Sequence, residues 1–270
     1  MILNEILIQK RKDLDELKQR MPLARLQRII EKAERPKPRS FRNALLSTHH
    51  LNIIAELKKA SPSEGVLREN FQPLRIATLY EYAGACAISV LTESHFFKGR
   101  PSYLKTVRQV TKLPLLRKDF IFDRFQIYET ALLEADAFLL IASILSEEEL
   151  KELIDLGKEL QMDALVEVHS DSELKKAVEA GATTIGINNR DLKTLKVDPE
   201  RAKQLIPHIP KGTAIVVESG LTTHDELMMY KSLGANAYLI GSTLMKSRDI
   251  AATLQKLLGK KEVSVAEEPA

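Results

Sequence analysis

Several apolar runs in this chain end in side chains that can move protons or hold an anion. Glu56 and Lys58 close one run, Lys118 closes a second in Arg117-Lys118-Asp119, and Glu167 lies in a third. Asn188-Asn189-Arg190, Glu218-Ser219-Gly220 and Gly241-Ser242 close three more. Side chains alternate along a strand, so Glu56 and Lys58 would face the same way. A single lysine or glutamate at a strand end is ordinarily a solvated rim residue. Several converging on one place need a reason, because a buried charge is costly unless it is paired. Interleaved ammonium and carboxylate groups shift one another's pKa, which suits general acid–base chemistry. Gly220 and Gly241 add a different chemistry: without side chains, they let backbone N–H groups approach an anion. Ser242 could open a short helix, Thr243-Leu244-Met245, whose N-terminus attracts phosphate. His49, His50, His95, His169, His208 and His224 are scattered without ligand spacing, so surface or packing roles are expected for all six and metal binding for none.

The elements that must position these residues follow from periodicity. From Leu51 onward, short β-rich apolar runs appear at 52–57, 86–91, 113–116, 137–142, 164–168, 183–187, 214–217 and 237–240, separated by amphipathic stretches of helical length. Strands alternating in this way with helices predict a parallel sheet with helical crossovers, and eight is the number that closes a barrel. No glycine-rich dinucleotide fingerprint follows the first run, which argues against an open doubly wound sheet. In a barrel, the site lies at the C-terminal ends of the strands, where the residues above stand. Ser146 with Glu149, Ser170 with Glu173 and Thr223 with Glu226 have capping-box spacing. Asp198-Pro199 predicts an N-cap followed by proline at the first helical position, and Gly181 and Gly234 stand where helices should end. Before the barrel, Ile2, Leu3, Ile6, Leu7, Leu14 and Leu17 suit one helix face, and Leu23, Leu26, Ile29 and Ile30 a second helix from about Pro22. Arg35-Pro36-Lys37-Pro38-Arg39 breaks that pattern. The expected organisation is an α/β chain: a helical extension over 1–46 packed on a single (β/α)8 TIM barrel over 47–258, then a charged, aperiodic and disordered tail over 259–270.

Composition narrows the function classes. The 40 basic and 37 acidic residues nearly cancel, which argues against a dedicated nucleic-acid binder and leaves room for one local positive pocket. Cys86 is the lone cysteine, so no internal disulfide forms, and it reads as a small buried residue in the run 85–91. A reducing cytoplasm fits that usage. No apolar run approaches the length of a membrane span, and the basic cluster follows the apolar start instead of preceding it, unlike a signal peptide.

The strand-end segments resemble one family. Ile54-Ala55-Glu56-Leu57-Lys58-Lys59-Ala60-Ser61-Pro62-Ser63 resembles the first-strand signature of the indole-3-glycerol-phosphate synthases. Ser89-Val90-Leu91-Thr92-Glu93, Leu116-Arg117-Lys118-Asp119-Phe120, Leu165-Val166-Glu167-Val168-His169, Gly186-Ile187-Asn188-Asn189-Arg190-Asp191-Leu192 and Glu218-Ser219-Gly220 follow in family order. The resemblance implies a carbon–carbon lyase of tryptophan biosynthesis. Its substrate would be 1-(2-carboxyphenylamino)-1-deoxyribulose 5-phosphate, closed to an indole with loss of carbon dioxide and water. No cofactor and no metal are implied. The partner is a small phosphosugar-anthranilate molecule, not a nucleic acid or a membrane. The expectation is a cytoplasmic monomer able to associate weakly with other tryptophan-pathway enzymes.

Carried over residue by residue, the resemblance makes Lys118 the general acid at the substrate carbonyl and Glu167 the group that accepts a proton during dehydration. Lys58 resembles the mobile-loop lysine that meets the substrate carboxylate and assists proton transfer. Glu56 and Glu218 match orienting carboxylates, and Asn188 a hydrogen-bonding position beside the reacting chain. Ser61 belongs to the same first-strand signature on the substrate side. Ser219, Gly220, Gly241 and Ser242 match the phosphate cradle and Arg190 a substrate-side cation. Phe97, Phe120 and Leu139 match apolar positions against the anthranilate ring, with core packing as the alternative. The N-terminal helices match an extension carried over the barrel mouth, and Ser40-Phe41-Arg42-Asn43-Ala44-Leu45 its closing segment. Glu134 stands where the family commonly has glycine, Arg124 replaces a proline, and Leu195 a phenylalanine. Two alternatives stay open: another phosphate-binding barrel enzyme, which would lack the Lys58, Lys118 and Glu167 set, and an inactive scaffold barrel.

Overall fold

The computed structural model describes residues 2–33, 38–47, 51–192 and 194–260. Three helices come first: α1 (Ile2–Arg20), α2 (Leu23–Lys32) and α3 (Phe41–Leu45). Strand β1 (Asn52–Leu57) is followed by a small hairpin, β2 (Ala60–Ser61) with β3 (Gly65–Val66), and by α4 (Pro73–Ala83). The alternation then runs β4 (Ala87–Leu91), α5 (Ser102–Arg108), β5 (Leu115–Lys118), α6 (Arg124–Leu132), β6 (Ala137–Ile141), α7 (Glu147–Glu159), β7 (Asp163–Val168) and α8 (Asp171–Glu179). It continues through β8 (Thr184–Asn188), α9 (Glu200–Leu205), β9 (Ala214–Glu218), α10 (His224–Leu233), β10 (Ala237–Ile240), α11 (Ser242–Lys246) and α12 (Ile250–Leu257). Eight strands close in the order β1-β10-β9-β8-β7-β6-β5-β4, every barrel pair parallel. This is the predicted TIM barrel. Each expected strand is present within two residues of its predicted bounds.

Alternation along the strands produces two separate apolar layers. Ile53, Ala55 and Leu57 of β1 pack outward with Ile76, Ala77 and Tyr80 of α4. Ile54 turns inward with Ala87, Leu116, Leu139, Leu165, Val216 and Leu239, filling the barrel itself. The chemical punctuation mostly holds. Ser146 and Thr223 complete capping boxes with Glu149 and Glu226. Ser170 caps α8, but the Glu173 carboxylate takes the His169 N–H, leaving that box half-made. Asp198 Oδ1 accepts from Glu200 N at 3.1 Å, so α9 begins one residue past Pro199. Gly181 and Gly234 adopt the left-handed conformation at helix ends. Glu134 also adopts it, with φ of 62°, a conformation that glycine takes at less cost.

The N-terminal helices divide between the two ends of the barrel. Helix α1 crosses the mouth, where Lys10 Nζ meets Asp119 Oδ1 at 2.7 Å and Ile6 joins the inner core. Helix α2 packs on α6, with Leu26 against Phe125. Helix α3 lies at the opposite end, which corrects the expectation that its segment belongs to a cover over the mouth. Its Arg42 N–H donates to Asp163 Oδ2 at the start of β7, and Asn52 at the start of β1 donates to Leu45 O. Fully buried Phe41 and Leu45 plug the N-terminal face of the inner core. The tail beyond residue 260, His49, His50 and the Arg35-Pro36-Lys37 part of the expected break lie outside the described residues. Among the described residues, no helix is long and apolar enough to cross a membrane.

Candidate active site

The last inward position of each barrel strand lines one cavity of about 440 Å³: Glu56, Leu91, Lys118, Ile141, Glu167, Asn188 and Glu218, with Gly241 just past β10. All fifteen residues named from the sequence line it, including Lys58, Ser61, Arg190, Ser219, Gly220, Ser242, Phe97, Phe120 and Leu139.

Lys118 is the centre of charge. Its Nζ lies 3.3 Å from Glu167 Oε2 and 3.4 Å from Glu218 Oε2. Lys58 Nζ sits 3.0 Å from Glu56 Oε2. Asn188 Nδ2 donates to Glu167 Oε1 at 3.1 Å. Burial alone would lower the Lys118 ammonium pKa, but the carboxylates of Glu167, Glu218 and Glu56 outweigh it and hold it above the ordinary lysine value. Burial likewise works against an ionised Glu167, yet Lys118, His169 and Asn188 hold it below the usual carboxylate range. Burial pushes Glu218 up to about 8, with Glu167 and Glu56 adding to the shift against the pull of Lys118. Two carboxyl groups on one ammonium are thus driven apart, one toward base and one toward acid.

At the opposite end of the cavity, a hydroxyl and an ammonium hold the carboxylate of Glu64. Ser219 and Gly220 both have positive φ, of 68° and 77°, which turns the chain sharply at the end of β9. Ser242 Oγ donates to Glu64 Oε2 at 2.5 Å and Lys246 Nζ to Glu64 Oε1 at 2.6 Å. Burial alone would raise the Glu64 carboxyl, but the bonds from Lys246 and Ser242 outweigh it and keep it below its ordinary value. Neither Glu64 nor Lys246 was identified from the sequence; the contact joins the tip of the β2–β3 hairpin to α11, and only the fold brings them together. Gly241 has a role the sequence did not reveal. A Cβ there would run into the Glu56 carboxylate, just as one on Gly186 would run into that of Glu218. These glycines leave space for two carboxylates.

The third wall is apolar. Phe97 and Phe120 stand 6.2 Å apart, centroid to centroid, beside Leu139, and Ile2, Leu3 and Ile6 of α1 form a roof. Buried Glu93 holds the Phe97 loop by accepting the backbone N–H groups of His95, Phe96 and Phe97. Arg117 points the other way from Lys118, and its guanidinium bonds Glu129, Thr130 and Asp119 to anchor α6 behind the site. Arg190 sits on the rim, with its guanidinium on Leu195 O and its backbone N–H on Asn188 Oδ1. Cys86 is half-buried, and burial pushes its thiol up to about 12.

His169 is not the surface residue that was one of the two roles expected for it. Its imidazole is largely buried, 3.5 Å from Glu167 Oε1 and 3.3 Å from Glu173 Oε2. The signals present in the sequence were its spacing two from Glu167 and four from Glu173; the second was read only as part of a helix cap. Among the described residues, no group of three or more His, Cys, Asp or Glu is arranged to hold a metal ion.

Comparison with known proteins gives a consistent family. A family model for indole-3-glycerol phosphate synthase matches residues 3–257. The chain is 46% identical over 256 residues to the indole-3-glycerol phosphate synthase of Acetivibrio thermocellus, covering 95% of this chain and 98% of that one. It is 46% identical over 260 residues to the Campylobacter jejuni enzyme of the same name, covering 96% and 100%. Among solved structures, 3-hexulose-6-phosphate synthase from Salmonella typhimurium aligns with a TM-score of 0.63 at 15% identity, covering 77% of this chain and 97% of that one. A mutant tryptophan synthase alpha-subunit from Pyrococcus furiosus aligns with a TM-score of 0.59 at 14% identity, covering 77% and 98%. Likeness at those identities concerns the fold alone. The match with the family model and with relatives over nearly the whole length establishes that this chain belongs to the indole-3-glycerol phosphate synthase family.

Proposed function

We infer that this chain catalyses the reaction its family is named for, converting 1-(2-carboxyphenylamino)-1-deoxyribulose 5-phosphate to indole-3-glycerol phosphate in tryptophan biosynthesis. The observation that carries the residue assignments is Lys118 held between Glu167 and Glu218 in a cavity with an apolar wall and, at its other end, the Ser242 and Lys246 donors. The aromatic ring carbon bearing the carboxylate attacks the sugar-chain carbonyl, and Lys118 gives its proton to the carbonyl oxygen. A lysine suits that step because it also attracts an anionic substrate. The bond to the carboxylate then breaks, and its electron pair restores the aromatic ring as carbon dioxide leaves. The new hydroxyl departs as water after protonation, while Glu167 takes a proton from the carbon beside nitrogen and the indole double bond forms. Lys58, 3.0 Å from Glu56, binds the substrate carboxylate and assists the dehydration. Glu56, Glu218 and Asn188 orient the lysines and the sugar hydroxyls. Ser219, Gly220, Gly241 and Ser242 bind the phosphate, Ser61 and Arg190 contact the substrate from the rim, and Phe97, Phe120 and Leu139 pack on its ring.

The chain contains no tryptophan, so new indole fluorescence stands out over its tyrosines. Protein mixed with the substrate gives strong indole emission, and Lys118→Ala loses roughly two to four orders of magnitude in rate, the usual worth of a positioned general acid. Emission unchanged in Lys118→Ala removes lysine 118 from the mechanism. No emission from folded parent protein redirects the assignment to another phosphosugar substrate or to an inactive scaffold.

A further inference from the structure

Behind Glu167 lies a histidine that the mechanism above does not use. Glu167 and His169 stand two apart at the end of β7 and face the same side. The surroundings of Glu167 are divided. Its Oε2 meets Lys118, whereas its Oε1 accepts Asn188 Nδ2 and faces His169 Nε2 at 3.5 Å. The other ring nitrogen, Nδ1, lies 3.3 Å from Glu173 Oε2, and the same oxygen accepts the His169 backbone N–H at 2.7 Å. Glu173 is fixed in the first turn of α8, capped by Ser170. The charged groups facing the ring are Glu167 from its own strand, Glu173 from α8 with Lys176 beyond it, and Arg201 from α9.

While both carboxylates are ionised, one protonation state presents positive charge and no lone pair to the carboxylate on each side of the ring. A neutral imidazole has a single N–H, so one of its nitrogens would turn a lone pair toward a carboxylate oxygen. The imidazolium donates from Nδ1 to Glu173 and turns a positive Nε2–H toward Glu167 Oε1, an ion-pair contact at 3.5 Å without a hydrogen bond. Burial works against that charge, but Glu173 and Glu167 outweigh it and Arg201, raising His169 above the ordinary histidine value.

We propose that His169 is a positioning residue for the ring-closing reaction: clamped by Glu173, it remains an imidazolium behind Glu167, fixes its Oε1 edge and keeps that buried carboxylate ionised to receive the substrate's proton. The inference rests on the assignment of Glu167 as the base. His169 keeps its own proton throughout, and the proton that reaches Glu167 comes from the substrate.

Three variants and one direct observation test it. His169→Gln retains an N–H donor without the positive charge, and Glu173→Gln retains the ring and an acceptor for it without the negative charge. Removing the cation raises the pKa of Glu167, so the acidic limb of kcat/KM moves to higher pH by about 1 unit or more in His169→Gln. In Glu173→Gln it moves the same way by less, because the ring then loses its proton at lower pH. A uniform loss across the pH range with the limb unmoved assigns His169 to packing and overturns the proposal. Nitrogen NMR of ring-labelled, substrate-free protein reads the histidine itself. The signal missing from His169→Gln should keep imidazolium shifts above about pH 6.5, the ordinary histidine midpoint; a ring neutral there overturns the proposal. Glu167→Gln separates the two assignments. If it is inactive while the His169→Gln limb stays fixed, only the role of His169 falls; if it is active, the base assignment falls and this inference with it.

Discussion

Gly241 and Glu56 act as one feature. The carboxylate of Glu56 occupies the space that any side chain at 241 would fill, and from there it pairs with Lys58 and adds to the field on Lys118. Gly241→Ala therefore displaces a charge without touching a reacting group. A displacement of about 1 Å at a catalytic constellation can cost about 100-fold, and kcat/KM of Gly241→Ala is expected to fall by that order while the thermal midpoint changes little. Shortening the carboxylate should relieve the clash, so Gly241→Ala with Glu56→Asp recovers activity relative to the product of the two single losses. Simple additivity would mean that the glycine serves the phosphate alone. The strand-end acids and bases were legible in the sequence because two rules suffice to aim them: alternation along a strand, and the site at the C-terminal end of a barrel. The purpose of Gly241 was not legible, since it depends on which residue of a distant strand leans over it. The same holds for His169, whose partners were in view but whose burial was not.

At the level of elements, the segment between β1 and α4 carries the least expected feature. Its hairpin presents Glu64 to Ser242 and Lys246, the donors on the side proposed to take the substrate phosphate. A carboxylate and a phosphate cannot share those donors without repulsion. Two unit charges about 4 Å apart in water-like surroundings repel by about 1 kcal/mol, roughly a fivefold effect on an equilibrium. Glu64→Gln keeps an acceptor for Ser242 and removes the charge. Its KM is expected to drop by about that factor, and inorganic phosphate should inhibit it more tightly, with kcat little changed. Equal KM and phosphate inhibition in parent and variant would show that Glu64 leaves the cradle without cost. The long elements of the fold were readable from apolar spacing, and capping residues such as Ser146 and Thr223 marked their starts. The hairpin was not readable, because two residues per strand carry no period.

At the scale of the whole molecule, the two ends of the barrel carry different duties. The order of eight strand–helix units was evident from the alternation of apolar runs. The division of the N-terminal helices was not, because it rests on contacts far apart in the chain, such as Arg42 with Asp163 and Lys10 with Asp119. Helix α1 roofs the cavity, whereas Phe41 and Leu45 of α3 close the far end, fully buried under the inner layer of Ile54, Leu116 and Leu165. Conserving the far face serves stability in a barrel of this kind, and chemistry belongs to the mouth. Phe41→Ala should therefore lower the unfolding free energy by about 3–5 kcal/mol, the usual cost of removing a buried aromatic ring and leaving a cavity. Urea titration measures that loss. The same protein, assayed by indole fluorescence below its transition, should retain its parent kcat/KM, because the strands between the plug and Lys118 are held by their own ladders. A fall in kcat/KM in the folded variant would mean that the inner layer transmits packing from one end of the barrel to the other, and that the floor of the active site depends on the plug beneath it.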